Sequence, residues 1–491
     1  MLLFSVIACA SSDALTGPFS MEDGAHVEAG GGDDSADNGS TGGVDSGGGE
    51  DDADTDDDDD TGTPDDGLLH QTPGSLHLPN IEARNIVILH VDTMRADHLK
   101  QYGYARSTLP RLSARPWLAV DGEVAASSWT LPSTTSFFTG LDVRHHDVRY
   151  VDHAQPNKWL TATTFATRVN DAGYATGLFS GNMNVNKNTG ITGGFDTEVL
   201  IPKEHRSNEI NSRDLVDKAL AWVDAIPDDQ PFMMHVQPMD LHSPLAPPTA
   251  YAGTWAVDVP FQTEGSILTG QEGEIKALLQ GSRDAAARAR VLSAVNAVYD
   301  ESMLGLDESL DMLLLGLELR GVLDDTVVVL TADHGEEFDD AGDLTLGHGG
   351  NLRESTIRLP LLILAPDLAP AKITCRMRNY DVWPTIFAAM GLGVPAGLDG
   401  VDLAEGCVDT ASASLWDMSG KLMVVATTGS RSKLTSDCPS GGIRAGTDLN
   451  ADYTPSEAED PDGILDAPEM EAALTNDIAN IEADNGGSWC H

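Results

Sequence analysis

Four apolar runs of strand length are each followed by polar side chains, and this pattern constrains the fold more than any other feature of the chain. The runs cover residues 85–91, 174–180, 232–237 and 326–331, and a further candidate covers residues 359–364. Near-continuous apolar runs of this length are typical of strands that are buried on both faces of a parallel sheet. Segments with helical apolar spacing lie between them, at residues 212–225 and 299–320. The alternation predicts an α/β domain with a large, mixed, mostly parallel sheet flanked by helices.

The residues that follow these runs are carboxylates, an amide and imidazoles. They are Asp92, Asn182, Asp240, His242, Asp333 and His334. In parallel sheets, ligands bind beyond the carboxyl ends of the strands, so we expect these side chains to share one crevice. A single Asp or His at a strand end is more often a helix cap or a turn former. The prediction of a crevice rich in metal ligands therefore depends on the whole group.

A Ser/Thr-rich segment at residues 127–140 precedes the second run. Pro132 and Ser133, just before the apolar pair Phe137 and Phe138, predict the start of a helix. Thr130 would then lie at or just before the helix N-terminus, where backbone N–H groups favour an anion. A hydroxyl at that place, beside a metal ion, can ionise and attack phosphorus or sulfur. The simpler alternative, a Ser/Thr-rich helix cap, stays open.

Five segments, in order along the chain, resemble the sulfatase family of the alkaline phosphatase superfamily. They are residues 85–99 (NIVILHVDTMRADHL), 128–140, 239–244, 333–338 (DHGEEF) and 347–349. The resemblance covers about residues 84 to 395. It implies a large α/β domain followed by a smaller C-terminal α+β subdomain with a short antiparallel sheet.

The same resemblance implies a role for each matching residue. The catalytic metal would be held by Asp92, Asp333, His334 and the nucleophile Thr130. Asp240, His242 and His348 match positions that contact the substrate oxyanion, protonate the leaving group or, in two-metal relatives, hold a second cation. Asn182 and Lys187 match oxyanion-binding positions more loosely, and a solvated loop is the simpler alternative for both.

The nucleophile segment departs from the family pattern at two positions. True sulfatases carry Cys or Ser followed by x-Pro-x-Arg, and here those places hold Thr130 and Thr134. Threonine cannot be oxidised to formylglycine, so no formylglycine is expected and the aldehyde-hydrate route of sulfate ester cleavage is closed. We therefore expect a metal-dependent ester hydrolase that prefers phosphodiester, phosphonate or phosphoryl-transfer chemistry. Imidazole from His334 favours zinc or manganese over calcium as the divalent metal. The competing hypothesis is a non-catalytic surface lipoprotein that keeps the fold as a binding module.

The charge of the chain divides between its N-terminus and the rest. The 491 residues have a formal net charge of -49, and residues 1–80 contain 19 acidic side chains and neither Lys nor Arg. We predict a signal and lipobox region at residues 1–19, with a lipidated Cys9, and a disordered acidic tether at residues 20–79. The catalytic domain would follow at residues 80–380 and the C-terminal subdomain at residues 381–491. A surface this acidic argues against nucleic-acid partners.

The remaining expectations concern export and partners. Four further cysteines, Cys375, Cys407, Cys438 and Cys490, lie in the last quarter of the chain. In an exported protein an even number favours two disulfides, although the pairing is open. Because no run of 18 or more apolar residues occurs, membrane contact is expected only through lipid at Cys9. We expect a periplasmic or outer-surface protein whose partner is a small anionic ester. The sequence does not indicate an oligomeric state.

Overall fold

A twisted central sheet dominates the computed structural model, which describes residues 69–70, 76, 78, 80–149, 160–201, 211–261, 271–416, 422–428, 432–437, 443–448, 472–476 and 478–479. Cys9, Cys438, Cys490 and the predicted signal region lie outside these residues. So does nearly all of the predicted tether.

The strands follow one another along the chain as β1 (Leu69–His70), β2 (Asn85–Val91), β3 (Leu118–Val124), β4 (Ala175–Ser180), β5 (Thr197–Leu200), β6 (Phe232–Gln237), β7 (Thr326–Ala332), β8 (Glu337–Phe338), β9 (Leu346–Gly347), β10 (Arg358–Leu364), β11 (Ala371–Arg378), β12 (Ala411–Trp416), β13 (Leu422–Thr428), β14 (Ser432–Asp437) and β15 (Ile443–Asp448). The helices are α1 (Thr130–Thr139), α2 (Val143–His146), α3 (Phe165–Asp171), α4 (Asn211–Val223), α5 (Gln271–Gly281), α6 (Ala285–Leu319), α7 (Glu354–Ile357) and α8 (Val382–Ala389). Short 3-10 turns connect several of them.

The strand order confirms the predicted fold class. In the described residues the large sheet has the order β1-β11-β3-β10-β7-β2-β6-β4-β5. β2 pairs in parallel with both β6 and β7, and β4 pairs in parallel with β5 and β6. β10 runs antiparallel to both of its neighbours, β3 and β7. The sheet is therefore mixed and mostly parallel, and its centre is formed by four of the predicted strands.

Each face of this sheet is covered by helices, which explains the near-continuous apolar runs. Val87 and Leu89 of β2 join an apolar cluster on one face with residues of α4 and α6. Ile86 and Ile88 join the cluster on the other face, with α1, α3 and α8. Because both faces of β2 are buried, both sets of alternating positions are mostly apolar, and Asn85 and His90 are the buried polar exceptions.

The long helix α6 begins well before the predicted start at residue 299. Its N-cap is Asp284, whose side chain accepts a hydrogen bond from Ala287 N–H at 2.7 Å. The first turns, AAARAR, show no apolar periodicity and are largely exposed, so spacing alone could not reveal them. Among the described helices, none is both long enough and apolar enough to cross a membrane.

The C-terminal part contains the short antiparallel sheet expected from the resemblance. β12, β13, β14 and β15 pair in sequence order. α8, with Pro384 in its first turn, precedes this sheet in the chain. A disulfide joins Cys375 of β11 to Cys407, which supplies one of the two expected pairs.

The chain enters the folded part earlier than the predicted boundary at residue 80. β1 pairs in parallel with β11, so it already belongs to the large sheet. Leu76 and Leu78 are buried, and Leu76 N–H donates to Leu403 C=O at 3.0 Å. The boundary prediction was late because the segment between the acidic run and β2 has too few apolar residues to show a pattern.

Candidate active site

The sheet order brings the distant strand-end residues together. Asp92 follows β2 directly, and Asp333 and His334 follow β7, the strand next to β2. Thr93 N–H donates to Asp333 Oδ1 at 3.3 Å, which ties the two strand ends. Asn182 and His242 follow β4 and β6 on the other side of β2. The predicted crevice at the carboxyl edge of the sheet is therefore present in the fold.

Helix α1 places Thr130 at this edge. Trp129 is the N-cap, with extended backbone angles (φ -154°, ψ 160°), and the helix begins at Thr130. Thr130 Oγ1 lies 3.3 Å from His334 Nε2, and its hydroxyl faces Asp92 Oδ2 at 3.4 Å. Ser133 Oγ donates to Asp333 C=O at 2.6 Å and fixes the first turn of α1 against β7. The predicted position of Thr130 at a helix N-terminus is thus observed.

Two carboxylates and an imidazole form the group best suited to a metal ion in the described part of the chain. The ligand atoms of Asp92, Asp333 and His334 lie within 4.8 Å of one another, and all three residues are buried. Asp92 Oδ1 and Asp333 Oδ2 have no hydrogen-bond partner among the residues that the structure describes. Burial and the neighbouring Asp92 raise the pKa of Asp333 well above its ordinary value. Buried carboxylates so close together need a cation, so these residues fit a divalent metal.

His334 is held in the form that a metal ligand requires. Its Nδ1 lies 2.9 Å from Gly335 C=O, which can only accept, so Nδ1 carries the proton and Nε2 presents its lone pair to the crevice. Burial lowers the pKa of His334 to about 3. A neutral imidazole whose second nitrogen is anchored to a carbonyl is the usual arrangement for a metal-binding histidine.

His348 has the opposite electrostatic character. Its Nδ1 donates to Glu336 Oε1 at 3.0 Å. Burial alone would lower its pKa, but the Glu336 carboxylate, together with Asp92 and Glu272, raises the pKa of His348 to about 9. His348 is therefore a protonated imidazole at neutral pH.

His242 lies beside His348. The two ring centroids are 4.9 Å apart in an edge-to-face arrangement, and the His334 and His348 centroids are 4.4 Å apart. His242 Nδ1 donates to Ser243 C=O at 2.6 Å, which directs Nε2 away from its own backbone. Burial alone would raise the pKa of Asp92, but the three histidines hold it below its ordinary value.

The remaining predicted site residues differ in their placement. Asn182 Nδ2 donates to Asp92 Oδ2 at 2.5 Å and to Thr130 Oγ1 at 3.1 Å, so it belongs to the cluster. Asp240 is half-buried and accepts from Ser212 Oγ at 2.8 Å. Lys187 is exposed, and among the described residues no hydrogen bond or ion pair joins its side chain to the cluster. Its substrate role stays a prediction.

Three residues around the site had no predicted role. Glu336 lies within the DHGEEF run, yet only its contact with His348 reveals what it does. Glu272 belongs to α5, and burial together with the Glu336 charge raises its pKa. Arg95 donates to Glu336 C=O at 3.0 Å and pairs with Asp340 at 2.8 Å, which secures the loop after β7. No signal in the sequence marks Glu272, because its partners lie far away along the chain.

Comparison with known proteins decides the family. The sequence profile of the sulfatase family matches residues 84–392, which is more than half of the chain. The chain belongs to the sulfatase family. Its fold is similar to that of the phosphonate monoester hydrolase of Agrobacterium radiobacter, with a TM-score of 0.61 and 19% identity over 82% of this chain and 95% of that one.

Relatives within the sulfatase family are distant in sequence. The arylsulfatase of Clostridium perfringens is 23% identical over 384 residues, which is 65% of this chain and 78% of that protein. The ulvan-active sulfatase of Formosa agariphila is 28% identical over 102 residues, so the match spans only 20% of its length. Membership places the chain among ester hydrolases, as the motifs predicted.

The Thr130 segment is closely packed. Thr134 is fully buried, and its hydroxyl has no hydrogen-bond partner in the described part of the chain. Thr130 is only 3% exposed to solvent.

Proposed function

We propose that this sulfatase-family protein hydrolyses phosphodiesters or phosphonate monoesters through Thr130. The observation that carries the proposal is the position of the Thr130 hydroxyl, at the start of α1 and within 3.4 Å of both Asp92 and His334. A threonine ester cannot expel sulfate by carbon–oxygen elimination, so hydrolysis must occur by attack on the central atom. Sulfate esters are accordingly expected to be poorer substrates than phosphorus esters.

The residues divide the reaction between them. Thr130 Oγ1 attacks phosphorus and releases its proton to solvent, and the bond from phosphorus to the leaving oxygen breaks. His348, protonated at neutral pH and held by Glu336, gives its proton to that leaving oxygen. Water then attacks phosphorus, the bond to Thr130 Oγ1 breaks, and Thr130 recovers a proton. Asn182 Nδ2 lies where it can donate to the developing negative charge near Thr130.

Asp92, Asp333, His334 and Thr130 would hold the divalent cation. When bound, it supplies positive charge that lowers the pKa of the Thr130 hydroxyl and offsets the charge of the ester. The donor set of carboxylates with one imidazole suits zinc or manganese better than calcium, which prefers oxygen ligands throughout.

The test is an assay of aryl phosphodiester, aryl phosphonate monoester, phosphate monoester and aryl sulfate with zinc, manganese or calcium. We expect the first two substrates to be turned over fastest, with zinc or manganese. The phosphonate monoester hydrolase with the same fold makes phosphonate esters the first choice. Preferential hydrolysis of the aryl sulfate would contradict the proposal.

Thr130→Ala should abolish turnover, with a loss of at least about 10³-fold, and should leave bound metal nearly unchanged because the buried carboxylates and His334 remain. Thr135→Ala, in the same helix but hydrogen-bonded only to Leu131 C=O, is the matched control. Mass spectrometry should find unmodified threonine at position 130 and a phosphoryl adduct there after a quench. Turnover that survives in Thr130→Ala would remove this residue from the mechanism.

The alternative hypothesis, a non-catalytic binding module, predicts a different result from metal analysis. A protein purified without bound metal and unable to bind zinc or manganese would favour the binding module. Stoichiometric metal in Asp92, Asp333 and His334 supports the enzyme, because three buried ligands of this kind destabilise a fold that does not use them.

We also propose that the protein is exported and anchored by lipid at Cys9, on the periplasmic or outer surface of a cell. The support is the apolar segment before Cys9 and the Gly- and Asp-rich stretch after it. Cys9→Ala should release the protein from the membrane fraction, whereas membrane retention in that variant would contradict lipidation.

A further inference from the structure

The first turn of α5 contacts both loops that carry the site histidines. The Gln271 side chain is 9% exposed. Its Oε1 accepts from Leu245 N–H at 2.7 Å, and its Nε2 donates to Leu245 C=O at 2.9 Å. One amide side chain thus satisfies both backbone groups of Leu245, as a neighbouring strand would.

Leu245 belongs to the loop that presents His242. It lies three residues after His242 and is 3% exposed. Ser243, between them, supplies the carbonyl that accepts from His242 Nδ1 at 2.6 Å. The two Gln271 hydrogen bonds therefore fix the backbone at Leu245, two residues after Ser243, whose carbonyl orients the His242 ring.

The next residue of the same turn reaches the other histidine loop. A Cβ atom placed on Gly347 would lie 3.2 Å from Glu272 Oε2, so the Glu272 carboxylate lies directly against the backbone that precedes His348. Gln271, Glu272, Ser243, Leu245, Glu336 and Gly347 line one cavity of about 20 Å³. That volume holds about one water molecule, so no substrate group enters there. Any effect of Gln271 or Glu272 on the site must therefore come through the two loops that carry His242 and His348.

We propose that Gln271 is a positioning residue that sets His242 relative to His348. The kinetic part of this inference rests on the proposed function. Loss of the two hydrogen bonds leaves Leu245 N–H and C=O buried without partners, and the loop shifts to satisfy them. A displacement of about 1 Å at a catalytic group costs on the order of 10²-fold in rate.

The experiment compares Gln271→Met, which keeps the size and loses both hydrogen bonds, with Gln280→Met. Gln280 is exposed at the far end of α5, so the same substitution there leaves the histidine loops untouched. Each variant is assayed with two aryl esters, one with a good leaving group that needs no proton and one with a poor leaving group that does. We expect Gln271→Met to lower kcat about 10-fold or more for the poor leaving group and less than about 3-fold for the good one, with KM little changed.

A purely structural role of Gln271 would lower kcat for the two esters by the same factor, and this outcome overturns the proposal. So does an unchanged kcat for both esters. If Gln271→Met shows no cooperative unfolding in urea, the variant is not properly folded, and Gln271→Glu is used in the assay instead. Glu keeps the acceptor for Leu245 N–H and loses the donor to Leu245 C=O, so a smaller difference between the two esters is expected.

A second readout does not depend on activity. In the metal-free protein, the ring signals of His242 in NMR spectra should shift in Gln271→Met and stay in place in Gln280→Met. Unchanged His242 signals in Gln271→Met overturn the positioning role. If the wild type hydrolyses none of the substrates, the proposed function fails, and the NMR comparison still decides the role of Gln271.

Discussion

Individual side chains set the protonation states in the crevice. Glu336 and His348 form an ion pair at 3.0 Å, and this pairing raises the pKa of His348, against the effect of burial. The neighbouring His334 has a pKa lowered to about 3, because burial dominates and the charge of His348 lowers it further, against the effect of Asp92. Two imidazoles with centroids 4.4 Å apart thus have pKa values shifted in opposite directions, as the proposed function requires of a proton donor and a metal ligand.

We predict that Glu336→Gln lowers the pKa of His348. In the metal-free wild type, NMR titration should place this pKa at about 9. In the variant the pKa should fall toward the ordinary value of about 6.5, because the negative partner of the imidazolium is gone. A folded-state pKa that does not change would show that Glu336 does not hold the proton on His348.

A second histidine gives a pH effect on stability. His146 Nδ1 accepts from Val148 N–H at 3.0 Å, so its proton is on Nε2, which faces Ser136 Oγ at 2.9 Å. Burial lowers the pKa of His146 to about 3. The unfolded chain takes up this proton first, so the free energy of unfolding should fall as the pH drops below about 6.5, by about 3 kcal/mol at pH 4.

The prediction is checked by urea unfolding at pH 7 and pH 4. His146→Gln should lose about 3 kcal/mol less than the wild type over this range, since its side chain does not titrate. His145→Gln is the matched control, because His145 is exposed and pairs with Asp399 at the surface. Equal pH dependence in wild type and His146→Gln would contradict the assignment.

Among the structural elements, five strands of the large sheet were predicted and its other strands were not. The predicted strands, β2, β4, β6, β7 and β10, are mostly apolar. β3 escaped prediction because Asp121, Gly122 and Glu123 interrupt its apolar run. These acids are buried only because Arg358 of β10 pairs with Asp121 at 2.9 Å and Thr331 of β7 donates to Glu123 at 2.7 Å. Such partners are far away in sequence, so no local pattern announces them.

The residues of the site also divide into those that the sequence predicts and those that only the fold reveals. Thr130, Asp92, Asp333, His334, Asn182, His242 and His348 were predicted because motifs and strand ends mark them. The supporting residues Gln271, Glu272 and Arg95 were not, because their function depends on where α5 and the loop after β7 come to lie. No helix was predicted at the residues of α5, and only the fold shows which loops its first turn contacts.

The turn between β7 and β8 has no room for a side chain at Gly335. A Cβ atom there would lie 2.0 Å from Ser355 C=O, while Gly335 N–H donates to Thr356 C=O at 2.9 Å. Gly335→Ala should therefore push the two backbones apart, destabilise the protein by roughly 1–3 kcal/mol and weaken metal binding through the adjacent His334. Urea unfolding and metal titration measure both effects. Gly350→Ala, at a position with open space, should change neither; unaltered metal affinity in Gly335→Ala would contradict the prediction.

At the scale of the whole molecule, charge opposes the approach of an anionic substrate. Subtracting the 19 acidic residues of positions 1–80 from the net charge of -49 leaves -30 for the rest of the chain. Such a field slows association with an anion, and salt screens it, because the Debye length falls from about 30 Å at 0.01 M to about 8 Å at 0.15 M.

We therefore expect kcat/KM for an anionic ester to rise when ionic strength increases over that range, with kcat nearly constant. Stopped-flow or initial-rate measurements at several salt concentrations check this, and a neutral triester that binds the same crevice would show no such rise. A fall in kcat/KM with salt would indicate that positive charge, not the acidic surface, governs the encounter.

The pairing of β2 with β7 also dictates when the site can form during protein synthesis. Asn85 pairs with Thr326 in the register of these strands, so Asp92 leaves the ribosome more than two hundred residues before Asp333 and His334. A nascent or truncated chain that stops short of residue 333 has one of the three clustered ligands and an unpaired edge on β2. A chain that stops short of residue 333 therefore cannot assemble the three-residue cluster, whatever part of the sheet it has already formed.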